Sequence, residues 1–255
     1  MPAALRSTLE YGAALAALAF AWWLAAGPLG VPKYLLPSPQ STVAALWAMT
    51  VSGELAPHVW FTLRNLLLGL AFGAVGGVAA AWGLYKAPRL ATLLEGPLVV
   101  FQTAPKIALA PLFVVWFGLG LSAKLVLIVS LVFFPILIAA LAGFRGIDSR
   151  LDDLARLLRL NAWERFRRIE FMSALPAIFV GLKIGAVQAL VGAVLAEWIA
   201  GSQGLGYLMT FASATYKSAL LFGAVLLTSL MGILLHVGLT AIEGRVLAWK
   251  VSDGR

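Results

Sequence analysis

Side chains that commonly perform catalysis or bind metals are sparse in this chain. It has no cysteine and two histidines, and the histidines, His58 and His236, lie in different regions. No group of carboxylates has the spacing of a metal site or an acid–base pair. No phosphate-binding loop of the form G-x-x-x-x-G-K-[ST] occurs. The sequence therefore predicts a chain that is not an enzyme and that holds neither a metal nor a cofactor.

A few charged residues stand within long apolar stretches, where ionisable groups are functional candidates by default. Lys106 lies between Pro105 and Pro111, and prolines make a membrane helix irregular beside protein or a water-filled cavity. These three residues are candidate pore-lining positions, with Lys106 attracting an anionic solute. The alternative is that Lys106 extends its amine to the inner headgroups, which is also expected of Lys183. Glu197 is expected near the outer end of its stretch, as an interfacial or ion-paired residue.

A second chemical feature is a strongly basic segment. Seven arginines fall between Arg145 and Arg168, and leucines within it recur at three- and four-residue intervals, which predicts a helix with one apolar face. Asp148 or Ser149 can cap that helix, and a second short helix is expected over 162–170. The segment is either an interfacial helix pair held by anionic lipid or a docking element for a cytoplasmic protein.

The amino-acid composition indicates the class of protein that positions these charged residues. Of the 255 residues, 62% are hydrophobic and only 12% are charged, whereas soluble domains have about 25% charged residues. This excludes a disordered chain and favours an integral membrane protein. The net charge of +8 could indicate nucleic acid as a partner, but basic residues also mark cytoplasmic loops, and we expect lipid and no nucleic acid.

Long apolar stretches predict an all-α protein with six transmembrane helices, since one span needs about 20 residues. The expected spans cover approximately residues 11–29, 62–85, 96–117, 124–144, 176–200 and 218–242. Together they form a single transmembrane domain over 1–255, with a long loop at 145–175. Glycines at four-residue spacing in spans two and five predict close helix packing, either within the chain or across a dimer axis.

The distribution of basic residues predicts the orientation. Six spans place both termini on one side, and that side carries thirteen of the nineteen lysines and arginines, including Arg6, Lys250, Arg255 and the seven in the long loop. The opposite side carries four. Both termini and the 145–175 loop should therefore be cytoplasmic.

The basic loop resembles the cytoplasmic EAA motif of ABC importer permeases, which reads Glu-Ala-Ala, three residues, Gly, nine residues, Ile-x-Leu-Pro. In the same register this chain has Asp153-Leu154-Ala155, then Arg159, then Ile169-Glu170-Phe171-Met172. Other segments are similar to the nitrate/sulfonate/taurine branch of that family, in the same order along the chain: Leu35–Pro39, Thr62–Gly69, Pro105–Leu112, Val115–Gly120, Phe133–Pro135, Ala174–Pro176, Gly181–Lys183, Glu197 and Gly204–Gly206.

This resemblance implies a type I importer permease in the bacterial inner membrane. Its expected partners are cytoplasmic ATPase subunits that hydrolyse ATP, a periplasmic binding protein that delivers a small anionic or vitamin-precursor solute, and a second permease copy. It also implies a coupling helix between spans four and five that transmits motion from the ATPase. The residues expected to couple to the ATPase are Asp153, Leu154, Ala155, Arg156, Leu157, Leu158, Arg159, Leu160, Asn161, Trp163 and Ile169.

Two departures from the motif alter the expected geometry. Arg159 replaces a glycine that would permit a positive φ, so the bend is expected at Asn161, which tolerates that region, or else the two helices are closer to continuous. The coupling helix is then centred on 154–161. Met172 replaces a proline, which removes a helix stop and leaves Pro176 to start span five.

A secondary transporter or a channel working without an ATPase is the alternative. Secondary transporters use intramembrane acids and often inverted repeats, yet Glu197 is the only acid inside an expected span and no repeat is evident. A channel would leave the basic amphipathic loop unexplained.

Overall fold

The computed structural model describes residues 3–251, and helices are the regular elements of that range, which confirms the predicted all-α fold. The elements are α1 (Ala3–Ala26), α2 (Pro39–Val51), α3 (Leu55–Lys86), α4 (Pro88–Thr103), α5 (Ala110–Phe117), α6 (Leu121–Arg145), α7 (Ser149–Leu157), α8 (Ala162–Arg165), a π-helical turn (Phe166–Glu170), α9 (Phe171–Ala200), α10 (Leu205–Ala214), α11 (Ser218–Val246) and α12 (Ala248–Val251). Arg255, one of the basic residues on the expected cytoplasmic side, lies outside the described residues, as do the side chains of Arg6 and Lys250.

Four described helices are long and apolar enough to cross a bilayer: Leu55–Lys86, Leu121–Arg145, Ala162–Ala200 and Ser218–Val246. They correspond to expected spans two, four, five and six, and the chain is a multi-pass membrane protein. The first expected span coincides mostly with α1, whose part Ala16–Ala26 forms a shorter apolar helix.

The third expected span, 96–117, is not one helix, so this part of the prediction is wrong, whereas the irregularity expected from its prolines is confirmed. α4 ends at Thr103 and α5 begins only at Ala110. Ala104 between them adopts φ −55° and ψ 136°, because the ring of Pro105 disfavours the α conformation in the residue before it. A break at this point leaves backbone groups for other partners to satisfy.

The chain divides into two compact units. The first contains Met1–Phe61 and Ser202–Thr228. Within it, the Trp22 indole donates a 2.9 Å hydrogen bond to the Pro37 carbonyl, and the Ser218 hydroxyl donates one of 2.7 Å to the Tyr34 carbonyl. These bonds fix the segment between α1 and α2 to neighbouring helices of the same unit.

The second unit contains Thr62–Gly201 and Ser229–Arg255, and α6 supplies its buried centre through Ile128, Val132 and Ile136. Two glycine rows pack against α6: Gly69, Gly73 and Gly77 of α3, and Gly181 and Gly185 of α9. A Cβ on Gly69 would lie 2.2 Å from a methyl carbon of Ile128. The close packing left open by the sequence is therefore internal to the chain.

Span five begins earlier than expected. α9 starts at Phe171 and continues directly from the π-helical turn, with Pro176 inside the helix. The prediction that Pro176 starts this span is wrong. Met172 retains the backbone N–H that a proline would lack, so the helix continues through that position.

Candidate coupling site

The site begins with a well-defined cap on α7. Asp148 is the N-cap, and its carboxylate accepts a 2.9 Å hydrogen bond from the backbone N–H of Arg150. The guanidinium of Arg150 also donates to this carboxylate, and together these hydrogen bonds hold the pKa of Asp148 below its usual range. The first of the two expected caps is confirmed, and it gives the loop helix a defined start.

α7 ends in a turn centred on Arg159, not on Asn161 as expected. Arg159 has φ 47°, its N–H donates to the Arg156 carbonyl at 3.0 Å, and the N–H of Leu160 donates to the Ala155 carbonyl at 3.0 Å. This hydrogen-bond pattern is a Schellman motif, in which glycine usually takes the left-handed position. Arg159 occupies that position despite its side chain, because the turn satisfies the last carbonyls of α7.

Asn161 has a different role from the predicted bend. It is the N-cap of α8, where its side chain accepts a 2.9 Å hydrogen bond from the N–H of Glu164, and Glu164 in return accepts one of 3.0 Å from the N–H of Asn161. This capping box starts a new helix immediately after the turn. The loop thus contains two separate helices, which confirms the predicted second helix over 162–170 and excludes the nearly continuous alternative. The expected centre of the coupling helix at 154–161 is wrong, because α7 covers Ser149–Leu157.

The two helices present an apolar surface bordered by arginines, hereafter the coupling surface. Its members are exposed to the following fractions: Leu154 45%, Leu157 81%, Leu158 60% and Trp163 66%, with Arg156 and Arg159 exposed beside them. Asp153 and Asn161 are exposed as well, and Leu160 is half-buried. Ala155 and Ile169 are buried. Most of the predicted coupling residues are therefore accessible to a partner, whereas these two contribute to internal packing.

A buried carboxylate lies at the base of this segment. Glu170 has no exposed side-chain area and accepts a 2.9 Å hydrogen bond from the Trp82 indole. It is also ion-paired with Lys86, and Nε of Arg165 lies 2.9 Å from its Oε1. These four residues are named here the Glu170 junction. The sequence interpretation assigned no role to Glu170, although an acid at the end of a basic loop, directly before an apolar span, is a signal for a buried partner.

The candidate pore residues lie at the break between α4 and α5. The amine of Lys106 donates a 2.8 Å hydrogen bond to the Gln102 carbonyl and lies 4.9 Å from the centre of the Phe134 ring. Pro105 precedes it, and Pro111 stands in the first turn of α5. Lys106 thus satisfies a carbonyl at the end of α4, and a pore-lining role for these three residues stays a prediction.

The two other charged residues within apolar stretches have protein partners. Lys183 of α9 is ion-paired with Glu243 of α11, in place of the expected extension to headgroups. Glu197 is 1% exposed and accepts a 2.9 Å hydrogen bond from the hydroxyl of Thr62. Both contacts join helices of the second unit.

The fold and the site define a class: a multi-pass helical membrane protein with an exposed amphipathic element between two of its long apolar helices. Residues 73–248 match the family model described as binding-protein-dependent transport system inner membrane component. The chain belongs to this family, and it is the permease subunit of an ABC importer.

Relatives cover nearly the whole chain. A probable ABC transporter permease protein of Haemophilus influenzae is 33% identical, over 90% of this chain and 93% of its own length. The riboflavin transport system permease protein RibX of Chloroflexus aurantiacus is 32% identical, over 92% and 88%. The putative aliphatic sulfonates transport permease protein SsuC of Bacillus subtilis is 30% identical, over 94% and 88%. The chain is thus similar to permeases of the branch to which its motifs pointed.

Proposed function

We propose that this chain forms, with a second copy, the translocation path of an importer whose ATPase subunits bind the coupling surface. The chain itself carries no cofactor and does not hydrolyse ATP in this proposal. The observation that carries it is the exposure of Leu157, Leu158 and Trp163 on two capped helices that lead directly into α9. Exposed aromatic and aliphatic side chains bordered by arginine are typical of protein interfaces.

The orientation follows from the same proposal. If the ATPase binds at 145–175, this loop and both termini are cytoplasmic, and 1–255 is one membrane domain of the inner membrane. The excess of basic residues on that side supports this orientation. A periplasmic binding protein would then deliver the solute to the opposite side.

The solute class is inferred from the relatives. Their names give riboflavin and, for the putative permease, aliphatic sulfonates as the transported compounds. We therefore expect a small anionic or vitamin-precursor solute for this chain. Lys106, with Pro105 and Pro111, is the proposed position at which such a solute contacts the path, since a lysine beside a break between two helices can attract an anion.

A charge-reversal experiment tests the coupling proposal. Arg156→Glu with Arg159→Glu should abolish co-purification of the ATPase subunit and ATP-dependent uptake into proteoliposomes, because it replaces the basic border of the surface. Arg89→Glu with Arg245→Glu makes the same change in net charge at other exposed positions and should preserve both. Unchanged ATPase association in the first variant would refute the proposal, and uptake without any ATPase would favour a secondary transporter or channel.

A further inference from the structure

We infer that Glu170 is a positioning residue that fastens the coupling helices to the cytoplasmic end of α3, so that motion at the ATPase moves α3 as well as α9. This inference rests on the proposed function. α9 is linked to the coupling helices by the chain itself through the π-helical turn. Trp82 and Lys86 of α3 precede Glu170 by 88 and 84 residues, so α3 is linked to this segment by tertiary contacts and not by the adjacent chain.

The Glu170 junction supplies the polar part of this link. Trp82 and Lys86 both belong to the last turns of α3, and both donate to the carboxylate of Glu170. Arg165, the last residue of α8, approaches the same carboxylate at 2.9 Å. A single buried acid is therefore shared between α3 and the segment that carries the coupling surface.

An aromatic chain forms a second link beside the first. The ring of Phe166 lies 4.8 Å from that of Trp82 and 5.6 Å from that of Trp163. Trp163 is a member of the coupling surface, so ring contacts connect that surface to α3 through one intermediate side chain, Phe166. Phe166 also contacts Phe171 at 5.7 Å, which brings the start of α9 into the same cluster.

The buried charge of Glu170 is explained better by orientation of the coupling helices than by a gain in folding stability. Burying an ion pair contributes little net stability, but removing one partner leaves an uncompensated charge. Charge-assisted hydrogen bonds also fix geometry more tightly than apolar contacts do. Glu170 closes the π-helical turn, and such turns often occur at functional positions within helices. The junction therefore holds the direction of the coupling helices relative to α3.

Motion delivered to α3 at this junction would spread to the rest of the second unit. Beyond the junction, Gly77, Gly73 and Gly69 bring α3 against α6 with no space for larger side chains. α6 contacts α9 in the same manner through Gly181 and Gly185. Close-packed interiors transmit displacement with little compression, so the three helices would move together.

The test combines Glu170→Gln with a matched control. Glutamine keeps the size of the side chain and an acceptor for Trp82 but removes the charge that Lys86 and Arg165 share. Glu243→Gln removes the carboxylate of the Lys183 pair, which joins α9 to α11 in the same unit. We expect Glu170→Gln to retain ATPase co-purification and ATP hydrolysis, yet to lower solute transported per ATP at least tenfold, while Glu243→Gln changes this ratio less than twofold.

A distance measurement separates positioning from a general structural role. The chain has no cysteine, so spin labels can be attached at Ser149→Cys on α7 and Gly83→Cys on α3, where an added side chain meets open space. In the wild-type background the interlabel distance should be narrow and the same with and without ATP. In Glu170→Gln its distribution should broaden. An unchanged distribution, or an unchanged transport ratio, would overturn the inference.

Failure of the proposed function would look different. In that case the wild-type permease itself would show no ATP-driven uptake with its ATPase, whatever happens at Glu170. If wild-type uptake is normal and Glu170→Gln behaves like Glu243→Gln, only the positioning role is refuted.

Discussion

Replacing Leu157 with alanine should weaken ATPase binding by an amount that the structure allows us to calculate. The change removes three carbon groups from a side chain that is 81% exposed in the free chain. Burial contributes about 0.8 kcal/mol per carbon group, so full coverage of the exposed fraction by a partner contributes about 2 kcal/mol. Because each 1.4 kcal/mol is a tenfold change, the dissociation constant should rise about 30-fold.

The assay is the affinity between detergent-solubilised permease and purified ATPase subunit, measured by biolayer interferometry. Leu93→Ala is the matched control, since Leu93 of α4 is 73% exposed but lies outside the coupling surface. The affinity of this variant for the ATPase subunit should remain within twofold of wild type. Equal affinities for wild type and Leu157→Ala would refute the reasoning, because Leu157 would then remain uncovered in the complex.

Three further substitutions test other parts of the account. Arg159→Gly should relieve left-handed strain of about 1 kcal/mol and slow amide exchange at the end of α7; faster exchange would show that the Arg159 side chain stabilises the turn. In an unfolding assay in detergent, Gly69→Ala should destabilise the chain by about 1–3 kcal/mol, because the added Cβ would lie 2.2 Å from a methyl carbon of Ile128. The control Gly83→Ala places its Cβ in open space and should not destabilise the chain in the same assay. Lys106→Met should lower uptake of an anionic solute at least fivefold with ATPase affinity unchanged; normal uptake would exclude a role for this lysine in the path.

Local chemical signals were sufficient to predict several elements. Apolar runs long enough to cross the hydrocarbon core of a bilayer identified α6 and α11, since lipid is the solvent that suits such stretches. Asp148 was one of two candidate caps ahead of an amphipathic leucine pattern, and it is the N-cap of α7, because an N-cap depends only on residues within one turn. The exposed leucines of the coupling surface were likewise predicted from their helical spacing.

Features that depend on tertiary contacts were predicted less well. Arg159 was judged unsuited to a positive φ from its residue type alone, but the hydrogen bonds of the turn stabilise that conformation. The Glu170 junction joins residues more than 80 positions apart, and periodicity carries no information about such pairs. The prolines of 96–117 indicated an irregular helix, but the apolar character of this range led to the prediction of one span where the structure has two helices, α4 and α5.

The central claim is that an ATPase subunit covers the coupling surface, and photo-crosslinking from Leu157 tests it most directly. A photoreactive amino acid at this position should capture the ATPase subunit in intact membranes, whereas the same group at Leu93 should not. Capture of lipid alone from Leu157, with the ATPase subunit present, would contradict the account and identify α7 as an interfacial helix instead.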